Sequence, residues 1–242
     1  MRTSYVVVGL LLLAPMGVGA AEQPEDARAI VDKAIKAQSW TGKGKMFQGD
    51  VTLEYTAKYV IVAPDKLRFD LEMEPAGEKI KLAVATDGKA AWEQMGAELR
   101  DMPKDKQTEF HHNAYVMNLS RLLPLRDKAF TLTALGESKR GDQTLLGVKV
   151  THEGRRDVSL FFDKKTGLLA GSRTRIKDEF QKQQEVTQDI AFSGYSDKGG
   201  VKVFDKLTIQ RDGKEFLVEE LSAQKVLDKV DAKQFAKPAK DK

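Results

Sequence analysis

Residues 59–92 read YVIVAPDKLRFDLEMEPAGEKIKLAVATDGKAAW. Within them Leu67, Phe69, Leu71 and Met73 alternate with Lys66, Arg68, Asp70, Glu72 and Glu74. After Pro75 and Gly77 the alternation resumes, with Ile80, Leu82 and Val84 set against Lys79 and Lys81. Asp87-Gly88 then turns the chain toward Trp92. A period of two gives each strand one apolar and one charged face. The stretch therefore predicts a sheet that is wet on one side and greasy on the other. What the greasy side covers is the functional question.

The same pattern spreads outward. Val51, Leu53 and Tyr55 alternate with Thr52 and Glu54, and Val60 and Val62 lead to Pro64. Turn chemistry recurs at Gly141-Asp142, Thr166-Gly167, Gly199-Gly200 and Asp212-Gly213. Glycine tolerates the positive φ that tight hairpins need, so these pairs punctuate strands. Further strands are predicted over residues 130–135, 145–152, 158–162, 168–177, 201–210 and 214–226. Consecutive hairpins make the sheet antiparallel. The polar run 178–189 reads as an exposed strand edge or a mobile hairpin.

Two helices interrupt the strands. Ala27, Ile30, Val31, Ala34 and Ile35 recur at helical spacing, with Pro24 before them and Gly42 and Gly44 beyond. Gly42-Lys43-Gly44-Lys45 accordingly reads as a helix stop and loop. A second helix is predicted over residues 104–123, with Phe110, Ala114, Met117 and Arg121 along one stripe and Pro124 at its end.

Composition bounds the function. With 242 residues, 41% of them hydrophobic, the chain can bury a full core in one all-β domain. The formal charge of +4 comes without a localised basic block flanked by aromatics, so nucleic acid is not an expected partner. Residues 1–20 carry a small positive start at Arg2 and an apolar run too short to anchor in a bilayer. They read as a Sec-type signal peptide cleaved after Ala20 or Ala21. No second apolar run follows, so the expectation is an exported, periplasmic, soluble protein that does not span the membrane. One domain is expected over residues 22–238, with a solvated tail at 239–242. The chain has no cysteine, hence no disulfide framework, no cysteine nucleophile and no site for lipoprotein-type acylation.

Catalytic motifs are missing from the sequence. The three histidines are His111, His112 and His152. Adjacent histidines on a helix point about 100° apart, so His111 and His112 are a poor chelating pair, even with Glu109. His152 beside Glu153 or Asp163 is the one arrangement that suggests a base. No G-x-S-x-G elbow and no phosphate-cradling glycine loop occur. The expectation is no enzyme, no catalytic residue, no metal and no cofactor. The apolar stripes then form either an ordinary filled core or the lining of an incompletely filled partial barrel. Methionines such as Met73, Met95, Met102 and Met117 suit both. A filled interior implies a structural or protein-interaction module of the cell envelope. An open one implies binding of lipid or acyl chains.

The stretch 59–92 resembles the LolA/LolB-like outer-membrane lipoprotein carriers. The resemblance rests on Val60, Val62, Pro64, Leu67, Arg68, Phe69, Asp87, Gly88, Lys89 and Trp92. Phe162-Asp163, Thr166-Gly167-Leu168, Asp212-Gly213-Lys214 and Phe235 before Pro238 are similar to the end of the wider superfamily. The resemblance implies a mainly β fold, one antiparallel sheet curved into an unclosed half-barrel. An N-terminal helix and a second helix serve as its lid. It implies transport of a lipid or an acylated lipoprotein, with an envelope protein as a further partner. Leu67, Phe69, Leu71, Met73, Ile80, Leu82, Val84 and Trp92 are the expected ligand-binding residues. Phe110, Ala114 and Met117 are the expected lid residues. Ala63 stands where the carrier has an arginine that helps latch the lid.

Overall fold

The computed structural model describes residues 37–198, 201–227 and 229–239. The expected signal peptide and N-terminal helix lie outside them. The alternating runs form strands β1 (Ala37–Gln48), β2 (Val51–Val62), β3 (Lys66–Met73), β4 (Ile80–Thr86), β5 (Ala91–Met95) and β6 (Glu98–Asp101). Helix α1 (Lys104–Leu119) follows. The chain then returns through β7 (Phe130–Arg140), β8 (Gln143–His152), β9 (Val158–Asp163) and β10 (Leu169–Asp178). It ends with β11 (Gln184–Lys198), β12 (Val201–Arg211) and β13 (Lys214–Val226).

These strands make one 13-stranded sheet in the order β6-β5-β4-β3-β2-β1-β13-β12-β11-β10-β9-β8-β7. Every neighbour pairs antiparallel. All pairings but one are between successive strands; the exception, β1 with β13, joins the two halves of the chain. The sheet is not closed, and β6 and β7 are its two edges. Helix α1 connects those edges, so it must cross the concave side of the sheet. The result is a mainly β, unclosed half-barrel with a helix over its mouth.

Register fixes which residues face inward. Leu67, Phe69, Leu71 and Met73 stand opposite Ile61, Tyr59, Ala57 and Tyr55 of β2 and opposite Thr86, Val84, Leu82 and Ile80 of β4. All of these therefore share one face. Two clusters fill that face under α1 at the β2–β5 end. Ile61, Leu67 and Ala114 pack with Trp40, Phe110 and Met117, and Val84, Ala91 and Met102 pack with Phe69, Leu82 and Phe110. A larger cluster gathers Val116 and Leu119 of α1 with Val150, Val158, Leu160 and Leu169 from the other half. Helix α1 is thus buried on two sides.

Three readings of the sequence change. Gly42-Lys43-Gly44-Lys45 is not a helix stop and loop but the middle of β1, which starts at Ala37. Helix α1 ends at Leu119 rather than at Pro124, because Leu122 turns left-handed at φ 66°. For residues 178–189 the edge alternative falls and the hairpin alternative holds: they form the hairpin between two internal strands, β10 and β11, and Val186 and Gln188 are buried.

Candidate binding cavity

The half-barrel is not filled. A cavity of about 470 Å³ lies between α1 and strands β1, β2 and β10–β13. That size falls within the roughly 300–1,000 Å³ of small-molecule sites. Its far wall is Leu169, Ile190, Phe192, Phe204, Leu207 and Ile209. Val116 and Met117 of α1 roof it, and Trp40, Tyr59 and Ile61 form the near wall. The Phe192 and Phe204 rings meet at a tilt with centroids 4.4 Å apart, and Trp40 lies flat on Tyr59 at 4.9 Å. The alternation of β11 and β12 supplies Ile190, Phe192, Leu207 and Ile209, since residues two apart share a face, and β10 adds Leu169.

Besides Tyr195, Lys202 and Gln224, polar groups enter at two further places. Toward the end of α1 lie Gln38, Ser120 and Arg121, with Arg121 Nε donating to Gln38 Oε1 at 3.2 Å. Burial holds the Arg121 guanidinium down to about 10. Deeper in, Glu219 of β13 is 3% exposed, and its Oε2 accepts hydrogen bonds from Tyr55 at 2.7 Å and Tyr59 at 2.8 Å. Burial pushes the Glu219 carboxyl upward, and the two phenolic hydroxyls partly offset that rise. Both tyrosines are raised by burial and then by the charge of Glu219. Trp40 Nε1 is buried without a hydrogen-bond partner among the described residues.

Two glycines make room for this cluster. A Cβ at Gly42 would stand 2.6 Å from both carboxylate oxygens of Glu219. One at Gly44 would stand 2.7 Å from the Tyr55 hydroxyl and 2.5 Å from the Val218 carbonyl oxygen. The pair that reads as breakers in sequence is therefore a gap in the β1 surface, filled by side chains of β13 and β2.

Helix α1 is tied down along its length. Glu109 accepts from Arg156 at 2.5 and 2.7 Å and from the Lys177 amide at 3.0 Å. Burial alone would raise the Glu109 carboxyl, but Arg156 and the Lys177 amide lower it overall. His112 Nε2 lies 2.9 Å from Thr174 Oγ1, and burial with nearby Arg156 brings its imidazole down to about 4. On the other side His111 Nε2 lies 2.8 Å from Thr86 Oγ1, and Asn118 Nδ2 donates to Pro64 O at 2.8 Å. His111 and His112 thus point to opposite halves of the sheet.

The expected binding residues divide between two faces. Leu67, Phe69, Leu71, Met73, Ile80, Leu82 and Val84 converge on the concave face. They lie beside the cavity, behind Tyr59, whose ring meets Phe69 at 5.9 Å. Met73 and Ile80 also border a shallow polar hollow of about 370 Å³. Trp92 is on the opposite face: it pairs with Ala85, lies beneath Arg68 at 5.6 Å, and donates to Phe235 O at 2.9 Å. Of the lid residues, Met117 roofs the cavity, while Phe110 and Ala114 pack on β2–β4. His152 Nδ1 lies 2.8 Å from its neighbour's carbonyl, Glu153 O, and Asp163 caps the Thr166 turn. Among the described residues no group of three or more His, Asp or Glu side chains is placed to hold a metal ion. Likewise no helix there is long and apolar enough to cross a membrane.

No protein-family profile and no curated protein matches the sequence. Solved structures do match. A LolA superfamily protein from Nitrosomonas europaea superposes with TM-score 0.59 at 13% identity, over 87% of this chain and 97% of that one. The fold is LolA-like. A putative outer membrane lipoprotein-sorting protein domain from Vibrio parahaemolyticus gives TM-score 0.55 at 10% identity, covering 87% of this chain and 94% of that one. A DUF1329 family protein from Desulfovibrio piger gives 0.56 at 14% identity, covering 87% and 95%. Identities this low show a shared LolA-like architecture.

Proposed function

We propose that this LolA-like protein is an exported, non-catalytic carrier that holds a lipid or acylated ligand beneath α1. The observation that carries the reading is the cavity of about 470 Å³ walled by Leu169, Ile190, Phe192, Phe204, Leu207 and Ile209. Each acyl methylene buried there stabilises the complex by about 0.8 kcal/mol, so chain length alone supplies affinity. The likeness to a lipoprotein-sorting domain agrees with acyl chains of lipoproteins as cargo.

Helix α1 is the proposed lid. Phe110 and Ala114 cover Leu67 and Val84 in the closed state. Lifting α1 would extend the apolar surface from the cavity over Leu67, Phe69, Leu71, Met73, Ile80, Leu82 and Val84, which would then line a longer trough. A donor or acceptor protein of the envelope would supply and remove the cargo. Residues 1–20 would direct export and be cleaved after Ala20 or Ala21.

The test is to purify the protein from its native envelope and extract it for mass spectrometry, then titrate the stripped protein with a fluorescent fatty acid. Co-purified lipid and saturable binding are expected. Absence of both would falsify the carrier reading and favour an interaction module.

A further inference from the structure

A carrier for plain hydrocarbon needs no carboxyl group in its cavity. Burying one is costly unless it is paired and hydrogen-bonded. Glu219 nevertheless sits in the cavity lining at 3% exposure. The fold makes several concessions to it. Gly42 leaves open the volume that the carboxylate occupies, and Gly44 does the same for the Tyr55 hydroxyl. Tyr55 and Tyr59 both donate to one oxygen, Oε2. The other, Oε1, has no hydrogen-bond partner among the described residues. A carboxylate offers about four acceptor positions, so one side of this group remains unserved. Its cross-strand neighbour Leu207, and Phe192 next along the same row, supply no donor.

We propose that Glu219 is a recognition residue inside the cavity, whose Oε1 accepts a hydrogen bond from a hydroxyl, amide or amine on the cargo. The inference rests on the carrier reading and refines it. The cargo is then an amphiphile with a donor beside its chain, in preference to a bare hydrocarbon or a simple ester. The tyrosines hold the carboxylate in place through Oε2 and leave Oε1 for the ligand. A donor that reaches Oε1 completes the group's hydrogen bonding within the cavity. A ligand ending in an ester leaves it incomplete and adds an acceptor facing an acceptor.

The test is a competition series on the full protein, with displacement of the neutral dye N-phenyl-1-naphthylamine as readout. Dodecanol and dodecylamine are compared with methyl laurate. The donor-bearing compounds are expected to displace the dye at about tenfold lower concentration or better, as suits a hydrogen bond to a charged group. In Glu219→Gln the side-chain amide presents a donor toward the ligand, and the preference should vanish or reverse while binding of the chain persists. Equal displacement by all three compounds with the wild-type protein overturns the proposal, and that arm needs no variant to fold. A preference that survives in Glu219→Gln, with circular dichroism showing it folded, also overturns it. If neither the dye nor any dodecyl compound binds, the carrier reading itself fails, and this inference with it.

Discussion

Gly42 shows how much a single hydrogen atom can decide. An alanine in the middle of a strand is ordinarily better than glycine by several tenths of a kcal/mol, through the unfolded chain. Here that gain is outweighed, because the added methyl would stand 2.6 Å from both oxygens of Glu219. The carboxyl group is the end of a flexible side chain, but moving it breaks two hydrogen bonds in a buried place. Gly42→Ala should therefore lose about 1–3 kcal/mol in urea unfolding. Gly44→Ala should lose more, since one of the atoms it meets is the Val218 backbone carbonyl, which cannot swing aside. A Gly44→Ala variant as stable as wild type would show that the β1–β13 pairing yields more easily than the geometry implies. Glu219 also sets a pH dependence. Its folded carboxyl is raised by burial, so between the ordinary carboxylate range and that raised value the folded state holds the proton and the unfolded state does not. This contribution to stability is full at the acid end and declines as pH rises. Glu219→Gln removes the decline, so the variant should gain on wild type between acid and neutral pH. A stability difference that stays flat across that range would contradict it.

At the scale of elements, α1 carries the opposite pH behaviour. Its His112 titrates near 4 in the folded protein, because burial and Arg156 disfavour the imidazolium more than Glu109 favours it. The unfolded histidine takes its proton near 6.5, so stability is lost as pH falls from there to about 4. The loss is about 3 kcal/mol. His112→Gln can keep a bond to Thr174 Oγ1 without titrating, and its unfolding midpoint should be less acid-sensitive than wild type over that window. The same helix shows why sequence reading was uneven. In β3 and β4 one face is charged and the other apolar, so Lys66 through Met73 announce a strand directly. In α1 the buried set includes Glu109, His112 and Asn118, each with a partner on a strand or on a connection between strands. A helix gripped from two sides has no clean polar face, so its stripe was legible at Phe110, Ala114 and Met117 while the other contacts were not. Strand β1 was hidden for a related reason: Gly42 and Gly44 lack side chains because Glu219 and Tyr55 occupy their space. Glu219 lies 164 residues from Tyr55 in sequence, beyond any local pattern. The helix is held by Asn118 on Pro64 and by Glu109 on Arg156.

At the scale of the whole molecule, the chain places its two tryptophans on opposite faces of one sheet, which makes the cavity directly observable. Trp40 stacks on Tyr59 in the cavity wall. Trp92 is 3% exposed on the other side, where the C-terminal segment crosses back over the first half of the sheet. There Phe235 O accepts from Trp92 Nε1, Gln234 O accepts from Arg68, and Lys237 pairs with Asp101 at 2.9 Å. A ligand in the cavity touches the surroundings of one indole and leaves the other under its cover. In Trp92→Phe, which leaves Trp40 as the sole tryptophan, titration with dodecanol should change the emission intensity or wavelength in a saturable way. In Trp40→Phe the remaining Trp92 signal should stay constant over the same titration, provided dye displacement shows that the ligand still binds. The reverse result, a response carried by Trp92 and absent from Trp40, would move the binding site to the outer face beneath the C-terminal segment. The half-barrel interior would then be a packing defect between its two halves, and the ligand would be recognised by Arg68, Trp92 and Phe235.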